Sequence, residues 1–429
     1  MGAGNAWRWD RPLVRRVAIV IAIAALVVMV RCGWDRLTED HVPYVDYDTQ
    51  IFTQIAAHPL GFELVYFPKP LVVPLVYRAL DSDGAAVAAL QTGFAFVAWL
   101  LLTASLARSL RRTWLRPLAV AVGIAFLFAP ARVGFTASLL SESINDSLAA
   151  SLMAGIIALV WTTGRARIAV AIVVGLLGLL WVLTRATNIF IALTATAVAM
   201  VVWRGWRHRW AWIVCGAVIA TTSFALWTTA QSHAPLLYQA PWSPGFTPRS
   251  GYPMLDNVIL RARSEVPQEL QPLIGPPDQI WQLLEPRPQA LPLHEWILEH
   301  GRSVYARWLF THPIDRAVEL VEARWTVLAG PYERYMPAGW ERGGSLRRLT
   351  QNRILLIALM LAAPVLLWRP RRDALRGLAA CIIASGLVGA VASYYGDAAE
   401  ISRHCYGAGQ QIVFGLFLAA IAWLDRQRI

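Results

Sequence analysis

Lysine is almost missing from this 429-residue chain: of 39 basic residues only Lys69 is lysine, and the rest are arginine. Charge of either sign is scarce too, at 15% of residues against 57% hydrophobic. That balance excludes an ordinary soluble globular protein and any charge-rich disordered class. Cysteine is limited to Cys32, Cys215, Cys381 and Cys405, too scattered for a metal-binding spacing. No glycine-rich phosphate loop, G-x-S-x-G elbow or dinucleotide fingerprint occurs, which argues against a nucleotide-linked donor and against ATP-driven transport. The stretch HEWILEH imitates a zinc-protease helix, but the residue four beyond His294 is Leu298 and His300 is six away. Two imidazoles so spaced do not face one metal, and a structural or acceptor-binding helix is the better reading. No repeat of fixed period and no low-complexity tail is present.

What the chain does have is long apolar runs. Crossing a hydrocarbon core of roughly 30 Å as helix takes about 17 to 25 apolar residues, and about ten segments qualify. They fall near 17–32, 86–107, 116–130, 145–162, 168–184, 187–203, 210–228, 353–368, 376–393 and 409–424. The expected fold is an all-α polytopic membrane protein with about ten transmembrane helices, interfacial helices in the first outer loop and a small, mainly helical extracytoplasmic module. The net charge of +12 comes from arginines on alternate connections: 8–16, 108–116, 165–167, 204–209, 369–376 and 426–428. Basic residues stay on the cytoplasmic side, so both termini are expected inside, and the excess is topological, with no nucleic acid implied. The run RRVAIVIAIAALVVMV lacks a clear cleavage site and reads as a retained first helix. The arginine bias fits a GC-rich bacterial genome, and the expected location is the bacterial plasma membrane.

Three regions follow: a membrane part over 1–230 containing the outer loop 33–83, an extracytoplasmic module over 231–351, and C-terminal membrane helices over 352–429. The outer loop carries eight acidic and three basic residues. Its DTQIFTQIAA reads as an amphipathic helix on the membrane surface, beside FPKPLVVPLVYRAL, whose prolines interrupt regular helix. SESINDS opens the fourth span and sets Glu142 and Asp146 four residues apart on one helix face. LTRATN puts Arg185 at an outer mouth, and YYGDAAEISRHCYG puts Asp397, Glu400, Arg403 and His404 before the last span. Charge at membrane depth is costly, so groups converging on one face make a candidate site. Cys32 and Cys405 fall on the same expected side, which leaves a disulfide open.

The outer-loop DYDTQ, the FPKPLVVPLVYRAL segment, the SESINDSLAASLMAGIIAL helix, the LTRATN turn and EISRHCYGAGQQIVFGLFL together resemble the GT-C superfamily of integral-membrane glycosyltransferases. The resemblance covers most of the membrane part in layout and rests on short motifs. It implies transfer of a sugar from a polyprenyl-phosphate donor to an envelope glycan, lipid or protein on the outer face, with an acid of the first outer loop as general base. Carried over, the base is Asp46 or Asp48. No organic cofactor is implied. Some relatives use a divalent cation, which Asp46 with Asp48 would hold.

The chemistry has a physical basis beside the resemblance. An acceptor hydroxyl needs a carboxylate within hydrogen-bond reach to take its proton, and the leaving lipid phosphate needs cations, for which Lys69, Arg185 and Arg403 are placed. Glu142, Glu400 and His404 complete the candidate substrate-binding set. Each has a plainer alternative. Asp46 and Asp48 cap the helix TQIFTQIAA or sit in solvent; Glu142 and Asp146 pair with Arg132 or Arg185 as structural glue. Arg185 caps the fifth span, Arg403 and His404 stitch to Glu400, and Lys69 snorkels. The rival function is a lipid or solute transporter or flippase, against which the plain apolar middles of most spans speak.

Overall fold

The computed structural model describes residues 47–61, 70–136, 138–203, 209–230, 248–274, 291–330, 352–368, 373–396 and 401–426. Every regular element among them is a helix. In chain order these are α1 (Tyr47–Ala57), α2 (Val72–Ala79), α3 (Gly84–Ser109), α4 (Leu115–Leu127), α5 (Pro130–Thr136), α6 (Ser141–Trp161), α7 (Gly164–Val182), α8 (Asn188–Val202) and α9 (Arg209–Ala230). There follow α10 (Pro248–Leu260), α11 (Gln271–Ile274), α12 (Leu291–Trp296), α13 (Arg302–Thr311), α14 (Pro313–Glu322), α15 (Arg324–Ala329), α16 (Arg353–Leu366), α17 (Ala374–Gly396) and α18 (Ile401–Arg426). Helix is the solution that satisfies every backbone donor and acceptor within one segment, as an apolar solvent demands.

Among the described residues four helices are long and apolar enough to cross a membrane: Gly84–Ser109, Gly164–Val182, Ala374–Gly396 and Arg403–Arg426. The expected spans near 187–203, 210–228 and 353–368 correspond to shorter apolar helices, and the first, 17–32, lies outside the described residues. The run expected to cross at 116–130 stops early. At 13 residues α4 is about 20 Å long. The chain turns at Phe128–Ala129, and Pro130, which lacks the amide a continuing helix would use, opens α5 instead. That turn carries Arg132 into the bundle, where it is almost completely buried.

Local signals set several boundaries. The Asp83 carboxylate accepts from the Ala85 amide at 2.9 Å and caps α3. Asn352 does the same for α16 through the Leu355 amide at 3.0 Å. At the centre of the bundle Trp99 stacks on Phe126 at 5.7 Å, and Phe414 stands edge-on to Phe126 at 5.5 Å, joining α3, α4 and α18. Helices α17 and α18 pack closely because Gly386 leaves room for Ile412 and the Ala408 backbone. Cys405 is buried as a free thiol against the Ala390 carbonyl, and Cys32, the other member of the disulfide left open above, lies outside the described residues.

Described arginines of the basic connections meet at one end of the bundle. The Asp425 carboxylate accepts from the Arg112 amide at 2.8 Å and the Arg111 amide at 3.2 Å, Arg426 pairs with Asp373, and Arg108 lies 4.3 Å over the Trp161 ring.

The stretch expected to form a separate module is divided in its loyalties. Leu255, Val258, Ile259, Leu293, Ile297 and Tyr305 build a small core of their own from α10 to α13. Beyond it, α15 leaves that core and packs Val327 and Leu328 onto Ala408, Ile412 and Leu416 of α18. Gly409 makes this possible, since a Cβ there would lie 2.2 Å from the Val327 carbonyl oxygen. Gly409→Ala therefore pushes α15 off α18. The expected loss is roughly 1 to 3 kcal/mol, measured as a lower melting temperature in mild detergent.

Candidate functional site

Three side chains from separate helices fasten the residues just before α6. The Thr49 hydroxyl of α1 donates to the Leu139 carbonyl oxygen at 2.8 Å, and the Tyr77 hydroxyl of α2 donates to the same oxygen at 2.9 Å. The Gln91 amide of α3 donates to the Leu140 carbonyl oxygen at 3.2 Å. Phe52 and Tyr77, 5.6 Å apart, hold α1 on α2, while the Arg78 guanidinium donates to the Ala56 carbonyl oxygen at 3.0 Å and ties off the end of α1. These ties bring Asp48, in the first turn of α1, to the head of α6, where Glu142 stands.

Two arginines from far along the chain meet these acids. The Arg403 guanidinium, at the head of α18, spans them: its Nε donates to Glu142 Oε1 at 2.9 Å while its Nη2 donates to the Asp48 carboxylate. Arg185, in the turn between α7 and α8, reaches the same Glu142 oxygen with Nη1 at 3.2 Å. Its Nη2 lies 3.3 Å from His404 Nδ1. Arginine has no lone pair to offer, so this contact uses the lone pair of Nδ1 and the imidazole proton sits on Nε2. The set is thus a chain, Asp48–Arg403–Glu142–Arg185–His404, with two carboxylates balancing two guanidinium groups. The Glu142 side chain is fully enclosed and that of Arg403 is 4% exposed.

Surrounding polar contacts keep the arginines in place. Asn188, which opens α8, donates to Asn145 Oδ1 and to the Trp181 carbonyl oxygen, both at 2.6 Å, pinning the turn that carries Arg185 to α6 and to the end of α7. Holding the last carbonyls of α7 thus falls to Asn188, where the sequence offered Arg185. One turn along α6, Asp146 takes a different partner from Glu142. It accepts from Arg132 Nε at 2.5 Å and from Trp99 Nε1 at 3.2 Å, and the Arg132 guanidinium lies 4.0 Å over the Trp99 ring.

Five residues singled out in the sequence, Asp48, Glu142, Arg185, Arg403 and His404, are therefore brought together. Asp46, Lys69 and Glu400 lie outside the described residues. The supporting contacts from Thr49, Tyr77, Gln91, Asn145 and Asn188 were not anticipated. Asn145 and Asn188 carried a faint signal, as amides within apolar runs. For a divalent cation the described surroundings of Asp48 are a poor donor set. Its carboxylate and that of Glu142 are engaged by guanidinium groups, which repel a cation, and no three His, Cys, Asp or Glu residues gather at metal-binding reach among the described residues.

Comparison with protein-family models, with curated proteins and with solved structures finds no match to this chain.

Arg403→Lys tests whether the planar fork matters. A lysine is one point charge and cannot hold Glu142 and Asp48 from two fixed nitrogens. A loss of about 1.5 to 3 kcal/mol in thermal unfolding is expected, the worth of one charge-assisted hydrogen bond. An unchanged melting temperature would show that the bridge contributes nothing.

Proposed function

We propose that the chain is a membrane glycosyltransferase that moves a sugar from a polyprenyl-phosphate donor to an acceptor hydroxyl of the cell envelope on the extracytoplasmic face of a bacterial plasma membrane. One observation supports this reading above the others: an acid of the first loop, Asp48, lies in one connected cluster with two arginines, Arg185 and Arg403, at one end of an apolar helix bundle. That is the pairing of general base and anion-binding cations which transfer from a lipid phosphate requires. The likeness in layout to the GT-C superfamily supports it from the side of the sequence. The described arginines Arg108, Arg111, Arg112 and Arg426 gather at one end of the bundle, the end to which the positive-inside tendency assigns the cytoplasm.

In the proposed reaction Asp48 accepts the proton of the acceptor hydroxyl as its oxygen attacks the anomeric carbon. The bond from that carbon to the phosphate oxygen breaks, its electron pair leaves with the lipid phosphate, and the configuration inverts because the base stands opposite the leaving group. Arg185 and Arg403 take up the charge on the departing phosphate bidentately. Before substrate arrives, Arg403 binds Asp48. An incoming phosphate competes for that guanidinium, and the carboxylate it displaces turns its lone pairs to the acceptor. Glu142 keeps both arginines at the site throughout. His404 supports Arg185 through Nδ1, and Lys69 and Glu400 belong to the same proposal as further donor contacts. No step is routed through a metal.

A strain deleted for the protein identifies the substrates: the envelope glycan that shortens names the acceptor, and the lipid-linked sugar that accumulates names the donor. Asp48→Asn, purified in detergent and given that donor, is then expected to lose turnover by about 100-fold or more, beyond the loss of about 1.5 to 3 kcal/mol in stability that goes with the Arg403 ion pair, while it still folds and binds donor. Undiminished transfer by the Asn protein would overturn the assignment of the base. Transport of lipid in sealed vesicles that persists in Asp48→Asn, with no transfer by either protein, would turn the reading toward a flippase.

A further inference from the structure

Helix α14 wears its faces the wrong way round for a helix on a soluble domain. Two of its charged side chains, Arg316 and Glu319, turn inward. Arg316 and Glu319 pair at 2.8 Å, the Arg316 guanidinium lies 3.8 Å over the Trp308 ring, and Glu319 Oε1 accepts from the Tyr394 hydroxyl of α17 at 3.1 Å. The Tyr395 hydroxyl donates to the Arg316 carbonyl oxygen. Of its large apolar side chains, Leu320 packs half-buried on the core around Val327 and Ala408, but the others stay bare: Ile314 is 76% exposed, Val318 50% and Val321 61%, with Phe310 at 81% in the last turn of α13. At about 100° per residue, Ile314, Val318 and Val321 fall within one stripe about 60° wide, and Arg316 and Glu319 fall on the far side of the helix. The exposed acids Asp315 and Glu322 share a flank between the two.

The continuation of the chain gives the depth. Only four residues separate the end of α14 from Val327, which rests on Gly409 of α18. Gly409 lies six residues into the span Arg403–Arg426, about 9 Å along its axis. Between them Trp325 has the Arg324 guanidinium 5.4 Å away and that of Arg353 5.3 Å away. A tryptophan flanked by arginines is the composition of a membrane–water boundary, where the ring sits among headgroups and the cations reach water. The first residue of α16 beyond Arg353, Ile354, is also bare, and α16 is an apolar helix whose Arg353 meets Trp325 just past the end of α14.

We infer that α14 is an interfacial helix whose Phe310, Ile314, Val318 and Val321 lie among lipid acyl chains, with Asp315 and Glu322 at the aqueous flank and Arg316 and Glu319 turned to the ends of the spans. The occupant of the bare stripe is the bilayer itself. The region between the seventh and eighth expected spans is then lipid-bound along one edge, through contacts that do not depend on which reaction the charged cluster performs.

Single nitroxides attached at Ile314→Cys, Val318→Cys and Glu322→Cys in the full-length protein, reconstituted in phosphatidylcholine/phosphatidylglycerol bilayers, test this directly. The unsubstituted protein, labelled in parallel, gives the background from native thiols, and Val321→Cys replaces either stripe variant whose melting temperature falls. At positions 314 and 318 collision with oxygen should exceed collision with a water-soluble nickel chelate several-fold, and at 322 the order should reverse. Nickel dominating at 314 and 318 would overturn the inference in favour of a solvent-facing helix. Labels there shielded from both probes would overturn it in favour of a protein partner, a second copy of this chain if dipolar broadening accompanies the shielding.

Discussion

Glu142 is a carboxylate enclosed at the head of a helix in an apolar bundle, and it is held there by guanidinium groups from two distant parts of the chain. Burying one unpaired charge costs several kcal/mol, and breaking a buried pair leaves the remaining charge uncompensated. The head of α6 therefore cannot sit where it does unless the turn between α7 and α8 delivers Arg185 and the head of α18 delivers Arg403. Arg403 then extends the chain of pairs to Asp48, so the first-loop helix α1 is recruited as well. Four segments spread over more than 350 residues of sequence meet around one acid because the surroundings give that acid no other way to be charged.

The same rule operates one turn further along α6, where Asp146 is satisfied by Arg132 and Trp99. Two carboxylates four residues apart on one helix thus serve separate ends. Asp146 joins α6 to α3 and α5, on the near side in sequence, and Glu142 joins it to the second half of the molecule. Apolar side chains of equal volume would hold such helices as well or better, so the retention of paired charge at Glu142 favours a role beyond packing. What sets the Glu142 cluster apart from the Asp146 pair is that it gathers two arginines and the first-loop acid Asp48.

Helix α14 follows the opposite logic with the same physics. Where lipid is the outer solvent, the inward side of a helix is the place for its charges and the outward side the place for isoleucine and valine. The inward pair Arg316–Glu319 finds hydroxyl donors on Tyr394 and Tyr395, and the bare stripe has no need of a protein partner. On the inference drawn for α14, part of the expected module 231–351 touches the membrane edge. Hydrophobic periodicity shows that a helix is two-sided without showing which side faces protein.

Composition and run length alone determined that the chain is helical and belongs in a membrane, because each apolar run carries its own hydrophobic signal and helix satisfies its own backbone. They also marked Asp48, Glu142, Arg185, Arg403 and His404, since a charge at the edge of an apolar run stands out whatever its partner. Tertiary structure decided the rest: that Glu142 and Asp146 take different arginines, that Thr49 and Tyr77 share the Leu139 carbonyl, that the expected span at 116–130 stops at Leu127, and that α15 settles on Gly409. Each of these is a pairing between residues distant in sequence. Neither partner has a local preference that names the other, so the pairing exists only once the helices have packed.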